Sequence, residues 1–592
     1  MKFHPLFFVF TLAAATLVAR AAEPIVWHEW SPEIFAQAKR ENKFVLLDLE
    51  AVWCHWCHVM AETTYRDPAV AALLDGRYLA VRVDQDSRPD ISNRYEDFGW
   101  PATVIFAPDG TELVKRQGYV PPGPMARLLQ AVIADPTPGP SAGPESAPAV
   151  TSATATTLST ENHAALRAKW LDGYDDKEGG WGFSHKYLDG DAVELALRDA
   201  ARGDSRTAKM ARDTLRLQRK LIDPVWGGVY QYSAGGNWDE PHFEKIMQMQ
   251  AENLRLYALA YAQWGDAADL ASARAIHRYL RAFLTSPDGV VYTSQDADLV
   301  PGEHSGDFFA LDDAGRRARG VPRIDTHIYA RENGWVIAAL AQFAAVTGAA
   351  APRAEAERAA QWVIANRSLD GGGFRHDKRD AAGPYLGDTL AMGRAFLALH
   401  QLTQQREWLD RAAAAADFIT AHFRRADGPG YASSDTTAAA FPAPRPQFDE
   451  NTGVARFATA LARVTGRAGY RTVAGQALRW VLTPEVVASR GFYLSPLLLA
   501  EEEARTEPVH VMILGRKDDL VAQAMFAAAL KIPEQHKLVE WWDRRAGPAP
   551  RGEDIFPELE QAAAFLCANG ACSSPLMSVT ALEKRLARLN RP

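Results

Sequence analysis

Apolar and polar positions along the first part of the chain switch between two periods. Ser31-Pro32 opens a helical pattern running to about Lys39, with Ser31 as N-cap and Glu33 in the first turn. Phe44 to Leu49 is an apolar run of strand length, and a helical pattern follows from Val59 to Leu74. Tyr78 to Val83 and Thr103 to Ala107 read as strands. Pro108-Asp109-Gly110 turns the latter into a hairpin with Glu112 to Arg116, and a helix from Pro124 to Ile133 closes the unit. This order, β-α-β and then β-β-α, predicts an α/β domain over residues 23–134. Residues 135–162 are mostly Pro, Gly, Ser, Ala and Thr, which predicts a flexible linker with a reach of roughly 25–30 Å.

From residue 163 to 505 the pattern is helical and punctuated by a recurring loop. The loops are GGWGF (Gly179–Phe183), GGVY (Gly227–Tyr230), DGVVY (Asp288–Tyr292), DGGGF (Asp370–Phe374), DGPGY (Asp427–Tyr431) and RGFY (Arg490–Tyr493). Helical stretches between them include Lys245–Trp264, Ala267–Leu284, Ile328–Thr347, Pro352–Asn366, Leu386–Leu402 and Gly453–Thr465. Six loops between apolar-periodic helices predict six helical hairpins, closed into an all-α (α/α)6 toroid. Their uneven spacing argues against an open solenoid. Over 506–592 strand patterns return: Pro508–Leu514, a helix Asp518–Leu530, a strand Lys537–Trp542 and a final helix Ser578–Leu589. These form a small C-terminal α/β appendage.

A net charge of −8 over 592 residues, with Lys and Arg scattered, gives no electrostatic basis for nucleic-acid binding. Lys2, the apolar stretch Leu6–Val18 and the small-x-small pattern Ala19-Arg20-Ala21 read as a secretory signal peptide, residues 1–21. A retained anchor is the alternative. No later segment has the length and apolarity of a membrane span. The mature chain is therefore expected in an oxidising compartment, most simply a periplasm. Its four cysteines fall into two close pairs, Cys54/Cys57 and Cys567/Cys572, too few to staple a chain this long.

Cys54 and Cys57 follow a strand and open a helix. Unpaired N–H groups and the helix dipole there favour a thiolate on the first cysteine. Cys54 is thus the attacking thiol, and Cys57, two residues on, resolves the mixed disulfide. His55 and His58, if cationic, would stabilise the Cys54 thiolate and make the couple more oxidising. Three rival readings exist for the motif. Cys54-x-x-Cys57-His58 matches haem c attachment, Cys54 and Cys57 with His55 or His58 match a zinc site, and the pair fits a structural disulfide. Redox chemistry suits the helix N-terminus best, so no metal or cofactor is expected.

The domain resembles thioredoxins at further positions. Trp53 precedes the first cysteine, Asp48 lies where thioredoxins keep a buried aspartate, and Trp100-Pro101 matches their cis-proline facing the dithiol. The resemblance implies that Asp48 takes the proton of Cys57, that Pro101 aligns a partner peptide, and that Trp53, Trp56 and Trp100 shape the dithiol's surroundings. Cys567/Cys572 closes a short loop and reads as a structural disulfide or as a second dithiol exchanging with the first.

In the toroid, His242, Glu244, Asp296, Asp298, Glu332, Asp388 and Glu450 lie at or near hairpin ends, accompanied by aromatics including Trp238. Carboxylates among aromatic rings suit sugar binding, and glycoside hydrolysis or epimerisation needs paired acid and base groups. Helix caps, loop hydrogen bonds and hairpin packing explain any single one of them more easily. The segment Pro241–Lys245 is the preferred site.

Over its whole length the chain resembles the family that includes spermatogenesis-associated protein 20. The resemblance rests on WCHWCHVM, GGVYQYSAGGNW with PHFEK (Gly227–Lys245), SQDAD (Ser294–Asp298) and the late Cys567-x4-Cys572. It implies a thioredoxin-like domain joined to a six-hairpin, glycosidase-like toroid. This chain departs from the family in its signal peptide, its compact thioredoxin part, and DENTG (Asp449–Gly453) in place of a Pro-Ser-Gly-Asn turn. The expected activity is thiol–disulfide exchange with a protein thiol or disulfide partner, the toroid serving as a ligand platform. A carbohydrate-active toroid with a regulatory thioredoxin domain, or a non-catalytic binding protein, are the alternatives.

Overall fold

The computed structural model describes residues 25–142, 155–435, 443–533, 536–552, 555–568 and 570–589. The expected signal segment lies outside them. In the first domain β1 (Trp27–His28), α1 (Pro32–Glu41), β2 (Phe44–Glu50), α2 (His55–Thr63), α3 (Pro68–Arg77), β3 (Tyr78–Asp84), α4 (Pro89–Tyr95), β4 (Ala102–Phe106), β5 (Glu112–Gln117) and α5 (Pro122–Ala134) follow in order. The five strands lie in the order β1-β3-β2-β4-β5, with β1, β3 and β2 parallel and β4 and β5 antiparallel. Alternate residues of β2 feed two cores: Val45, Leu47 and Leu49 face α1 and α4, while Phe44 and Leu46 face α3 and α5.

Two local expectations change. The helix expected over Val59–Leu74 is broken in two, because Asp67 caps the N–H groups of Ala69 and Val70 and Pro68 takes the first helical position. The segment Pro89–Tyr95, with Pro89 at its start, adds a helix that the strand–helix alternation did not reveal. Beyond α5 the chain runs back along β5, where Gly139 N donates to Leu113 O and Lys115 N to Ser141 Oγ.

Among the described residues, twelve helices of eleven residues or more build the toroid: α6 (Thr160–Asp172), α7 (Gly190–Ala201), α8 (Ser205–Gln218), α9 (Met247–Trp264), α10 (Ala267–Phe283), α11 (Ala330–Thr347), α12 (Ala350–Arg367), α13 (Leu386–Thr403), α14 (Arg406–His422), α15 (Phe448–Thr465), α16 (Gly469–Val481) and α17 (Ser495–Arg505). Ser159 caps α6, which begins inside the expected linker. The odd-numbered helices α7 to α17 form a closed inner ring, α7-α9-α11-α13-α15-α17 and back to α7; the even-numbered ones pack outside. Inner helices α11 and α13 are apolar on most of their circumference and buried on it, as helices enclosed on all sides must be.

Every glycine loop joins the C-terminus of an outer helix to the N-terminus of an inner one, so all six lie at one mouth of the toroid. The loops share a clamp. Gln250, Asn333 and Asn451, early in α9, α11 and α15, each bond both backbone groups of one loop residue (Val229, Val291 and Tyr431). At the opposite mouth the inner helices end on left-handed caps, Gly265, Gly348, Gln404 and Gly466. DENTG is no turn: α15 starts at Phe448, and Gly453 lies inside it, where a Cβ would come within 2.9 Å of Leu390.

The C-terminal sheet has four strands among the described residues: β6 (Val509–Leu514) is inside it, with β7 (Lys537–Trp542) parallel to it at one edge. β8 (Ala563–Ala568) adds antiparallel to β6, and β9 (Ala571–Cys572) to β8. It packs at the second mouth, where Gln404 bonds Val539 and Trp541.

Candidate active site at the domain junction

Cys54 is the N-cap of α2, and its Sγ accepts a hydrogen bond from Cys57 N at 3.1 Å. The two cysteines form a disulfide. They are 4% and 3% exposed, and Ala51, Trp53, Trp100 and Ile246 pack around them. Trp53 meets Trp100 edge-on at 5.8 Å and donates to Asp86 Oδ2 at 2.7 Å. The Trp100–Pro101 peptide is cis, as expected, and Pro101 is buried. Trp56 is 40% exposed and stacks on Tyr119.

The toroid mouth closes over this surface. Ala297 N donates to Trp53 O at 3.3 Å, and His55 N donates to Glu244 Oε1 at 3.3 Å. Asp298 holds both histidines of the motif, with Oδ1 2.7 Å from His55 Nδ1 and Oδ2 3.1 Å from His58 Nδ1. Its own backbone N–H donates to Asp296 at 2.9 Å. Burial opposes charge on His58, but the Asp298 bond and the Asp296 and Glu50 carboxylates outweigh it and raise its pKa. Burial would lift Asp298; the bonds from His55 and His58 hold it below the usual carboxylate range instead. Both histidines therefore bond a carboxylate 240 or more positions away, which compensates the charge of His58 and ties up the His55 ring away from the Cys54 sulfur. That reduces the expected effect of His55 on the thiolate.

Asp48 is buried on the α3 and α5 face of β2 and ion-paired with Arg82 at 3.1 Å. Burial raises its pKa; Arg82 pulls it back. Burial also raises Glu244 to about 7 and Asp296 to about 6, and pushes His242 down to about 4 with help from His55 and His185. His242 stacks on Tyr232 at 4.2 Å.

Other expected toroid residues turn out to seat the first domain. His376 bridges Asp388 Oδ1 (2.9 Å) and Asp86 O (2.6 Å), and Asp388 also accepts from Arg331 N. Glu450 meets Asn93 of the first domain at 3.4 Å, whereas Glu332 pairs with its own neighbour Arg331 inside the toroid. Trp238 stays apart: it donates to Glu178 O and packs on Gly180 within the first glycine loop. Lys245, from the preferred segment, is locked between Asp223 and Gly227 O as a loop staple.

Cys54 opens onto a cavity of about 520 Å³ between the domains, lined by Trp53, Trp56, Trp100, Tyr119, Tyr187, Tyr232 and Glu244. A second cavity of about 940 Å³ adjoins it inside the mouth, bounded among others by Asp189, Asp191, Glu252, Arg331, Trp335, Asp449, Glu450 and Arg490. Burial raises Asp189 to about 7 and Glu252 and Glu450 to about 8. Asp449 is exposed on this space, and desolvation among its neighbours raises its pKa as well. Of these residues the sequence singled out only Glu450. One signal was available: acidic residues at or just inside the start of an inner helix, after a glycine loop, converge on one mouth. Among the described residues, His58, Asp296 and Asp298 have metal-donor spacing, their atoms within 4.8 Å, but they already bond one another, His55 and Gly302. Cys567 and Cys572 face each other across β8 and β9 as a disulfide. Their sheet packs at the far mouth, beyond inner helices such as α13 that are about 27 Å long.

Residues 11–133 match a family described as Thioredox_DsbH, protein of unknown function, DUF255. Human spermatogenesis-associated protein 20 is 26% identical over 318 residues, 48% of this chain and 40% of that one. The chain thus spans about two fifths of the length of that curated relative. Thiol:disulfide interchange protein DsbD 1 of Pseudomonas aeruginosa is 41% identical over 81 residues, 13% of this chain and 14% of that protein. A solved structure of D-mannose isomerase is 12% identical with a TM-score of 0.46, covering 59% of this chain and 98% of that one. Over about half its length the chain resembles spermatogenesis-associated protein 20, with a thioredoxin-like domain at its N-terminal end.

Proposed function

We propose that the protein is a thiol–disulfide oxidoreductase working through Cys54 and Cys57 in an exported, periplasmic setting, with the toroid as its ligand platform. The observation that carries this is the placement of Cys54 Sγ as acceptor at the N-terminus of α2, bonded to the N–H of its own disulfide partner. The likeness to thiol:disulfide interchange proteins supports it, and the charged, apolar, small-residue order of residues 1–21 supports export. In exchange, Cys54 takes or gives the mixed disulfide and Cys57 resolves it. Asp48, buried on the sheet, takes the proton of Cys57. Replacing Cys57 by Ser removes the resolving thiol, so Cys57→Ser protein should accumulate a covalent mixed disulfide at Cys54, seen by mass spectrometry and released by dithiothreitol. Absence of any adduct contradicts the reading.

The carboxylate-lined cavity favours a second reading, a toroid acting on carbohydrate. Glu252 and Glu450, both raised to about 8, are then the acid and base candidates. Turnover of neutral disaccharides that survives loss of both Cys54 and Cys57 is the result that would favour it.

A further inference from the structure

A protein disulfide can reach Cys54 only if its chain lies on the surface around that sulfur. In this molecule the surface is taken. Pro101 is buried, Trp53 O is bonded by Ala297 N, and the His55 backbone and ring are held by Glu244 and Asp298. What Cys54 does meet is the 520 Å³ cavity, with Trp56, Trp100 and Tyr119 on one side and Tyr187, Tyr232 and Glu244 on the other. Glu244 is 3% exposed, and its Oε2 on this wall has no hydrogen-bond partner. Trp100, Gln117, His185, Tyr187 and Met249 border both cavities, so the aromatic chamber at the sulfur leads into the 940 Å³ space. Seven carboxylates and three arginines line that space. Both volumes lie in the range of small-molecule sites, roughly 300–1,000 Å³; the acidic residues outnumber the arginines, and an ammonium group placed beside the carboxyls that burial raises would favour their charged form and pair with it.

We propose that the exchange partner of Cys54–Cys57 is a low-molecular-mass disulfide or thiol bearing ammonium groups, bound between the two domains with its cation on the carboxylates of the inner cavity. This rests on the redox reading above. The Cys54 thiolate attacks one sulfur of R–S–S–R; the bond from Cys54 to SR forms, the substrate's S–S bond breaks, and the departing RS⁻ takes the proton that Cys54 lost on ionising. Glu244, on the chamber wall, is placed to carry that proton. Cys57 then gives up its proton and attacks Cys54 Sγ, expelling the second RS⁻, which takes it. Two electrons pass from the dithiol to the substrate and two RSH leave. The same steps reversed let two RSH reduce the disulfide.

The test reacts the reduced full-length protein with cystamine, with bis(2-hydroxyethyl) disulfide and with insulin. Oxidation of Cys54–Cys57 is followed by alkylation, and each rate is divided by that of the same disulfide with dithiothreitol. The expected result is a normalised preference of about tenfold or more for cystamine over the neutral disulfide, the factor of one charge-assisted contact. That ratio should fall in Glu252→Gln and Asp449→Asn, and insulin should react far more slowly than either. Insulin reacting as fast as cystamine, or equal normalised rates for the two small disulfides, overturns the proposal. No reaction with any of the three marks failure of the redox reading itself.

Discussion

Asp298 sets the electrostatics of the dithiol from outside its own domain. It bonds both His55 and His58 and is itself held low by them. Replacing it by Asn removes the bond and the charge that raise His58. In Asp298→Asn the His58 pKa should therefore drop by about one unit or more, read from its ring proton shifts in an NMR titration. An unchanged His58 would mean that Asp296 and Glu50 hold it alone. The sequence displayed Cys54, Cys57, Trp53 and Pro101 plainly, since they sit within short motifs. It also flagged Asp298 inside SQDAD, yet gave it to a sugar site. The pairing with His58 spans 240 positions and is created only by docking, which no local pattern encodes.

At the scale of elements, periodicity revealed most of the toroid. Helices α9 to α13 lie within a few residues of the stretches read from apolar spacing. The start of α15 was hidden because Gly453 resembles a turn glycine; its actual cause is close contact with Leu390 of α13. Gly334 in α11 is a sharper case of the same need. A Cβ there would lie 2.6 Å from the backbone carbonyl carbon of Ala391, which has no rotamer to move. Gly334→Ala gains about 1 kcal/mol in helix propensity but overpacks the seam by about 1–3 kcal/mol. Because the clash is with backbone, the upper part of that range applies. The variant should lose about 1–2 kcal/mol net, visible as a lower denaturant midpoint. A gain in stability would show that α11 and α13 separate freely.

At the scale of the molecule, the thioredoxin-like domain and the C-terminal sheet occupy opposite mouths of one ring. The composition of the chain announced three parts; it could not say that the first would cover the glycine-loop mouth, because that depends on six loops gathering at one end. The junction so formed is rich in carboxyl groups whose pKa burial raises, among them Glu244 (about 7) and Glu450 (about 8). Their pKa values are higher folded than unfolded, so the folded form binds more protons between about pH 4.5 and 8, and stability falls as pH rises through that window. His58 and His376, also raised, act in the same direction as they lose their protons. The melting temperature should decline from pH 5.5 to pH 8, and the decline should be shallower in Glu450→Gln. A melting temperature that rises over this range would contradict the burial argument.

The central claim is that Cys54–Cys57 is a working redox couple. The most direct measurement is alkylation mass spectrometry of the full chain equilibrated in graded thiol redox buffers. The account predicts reversible two-electron titration at a potential of roughly −270 to −120 mV, between thioredoxin and the strong periplasmic oxidants, while Cys567–Cys572 stays oxidised. A Cys54–Cys57 bond that does not equilibrate, or that opens only well below that range, would contradict it.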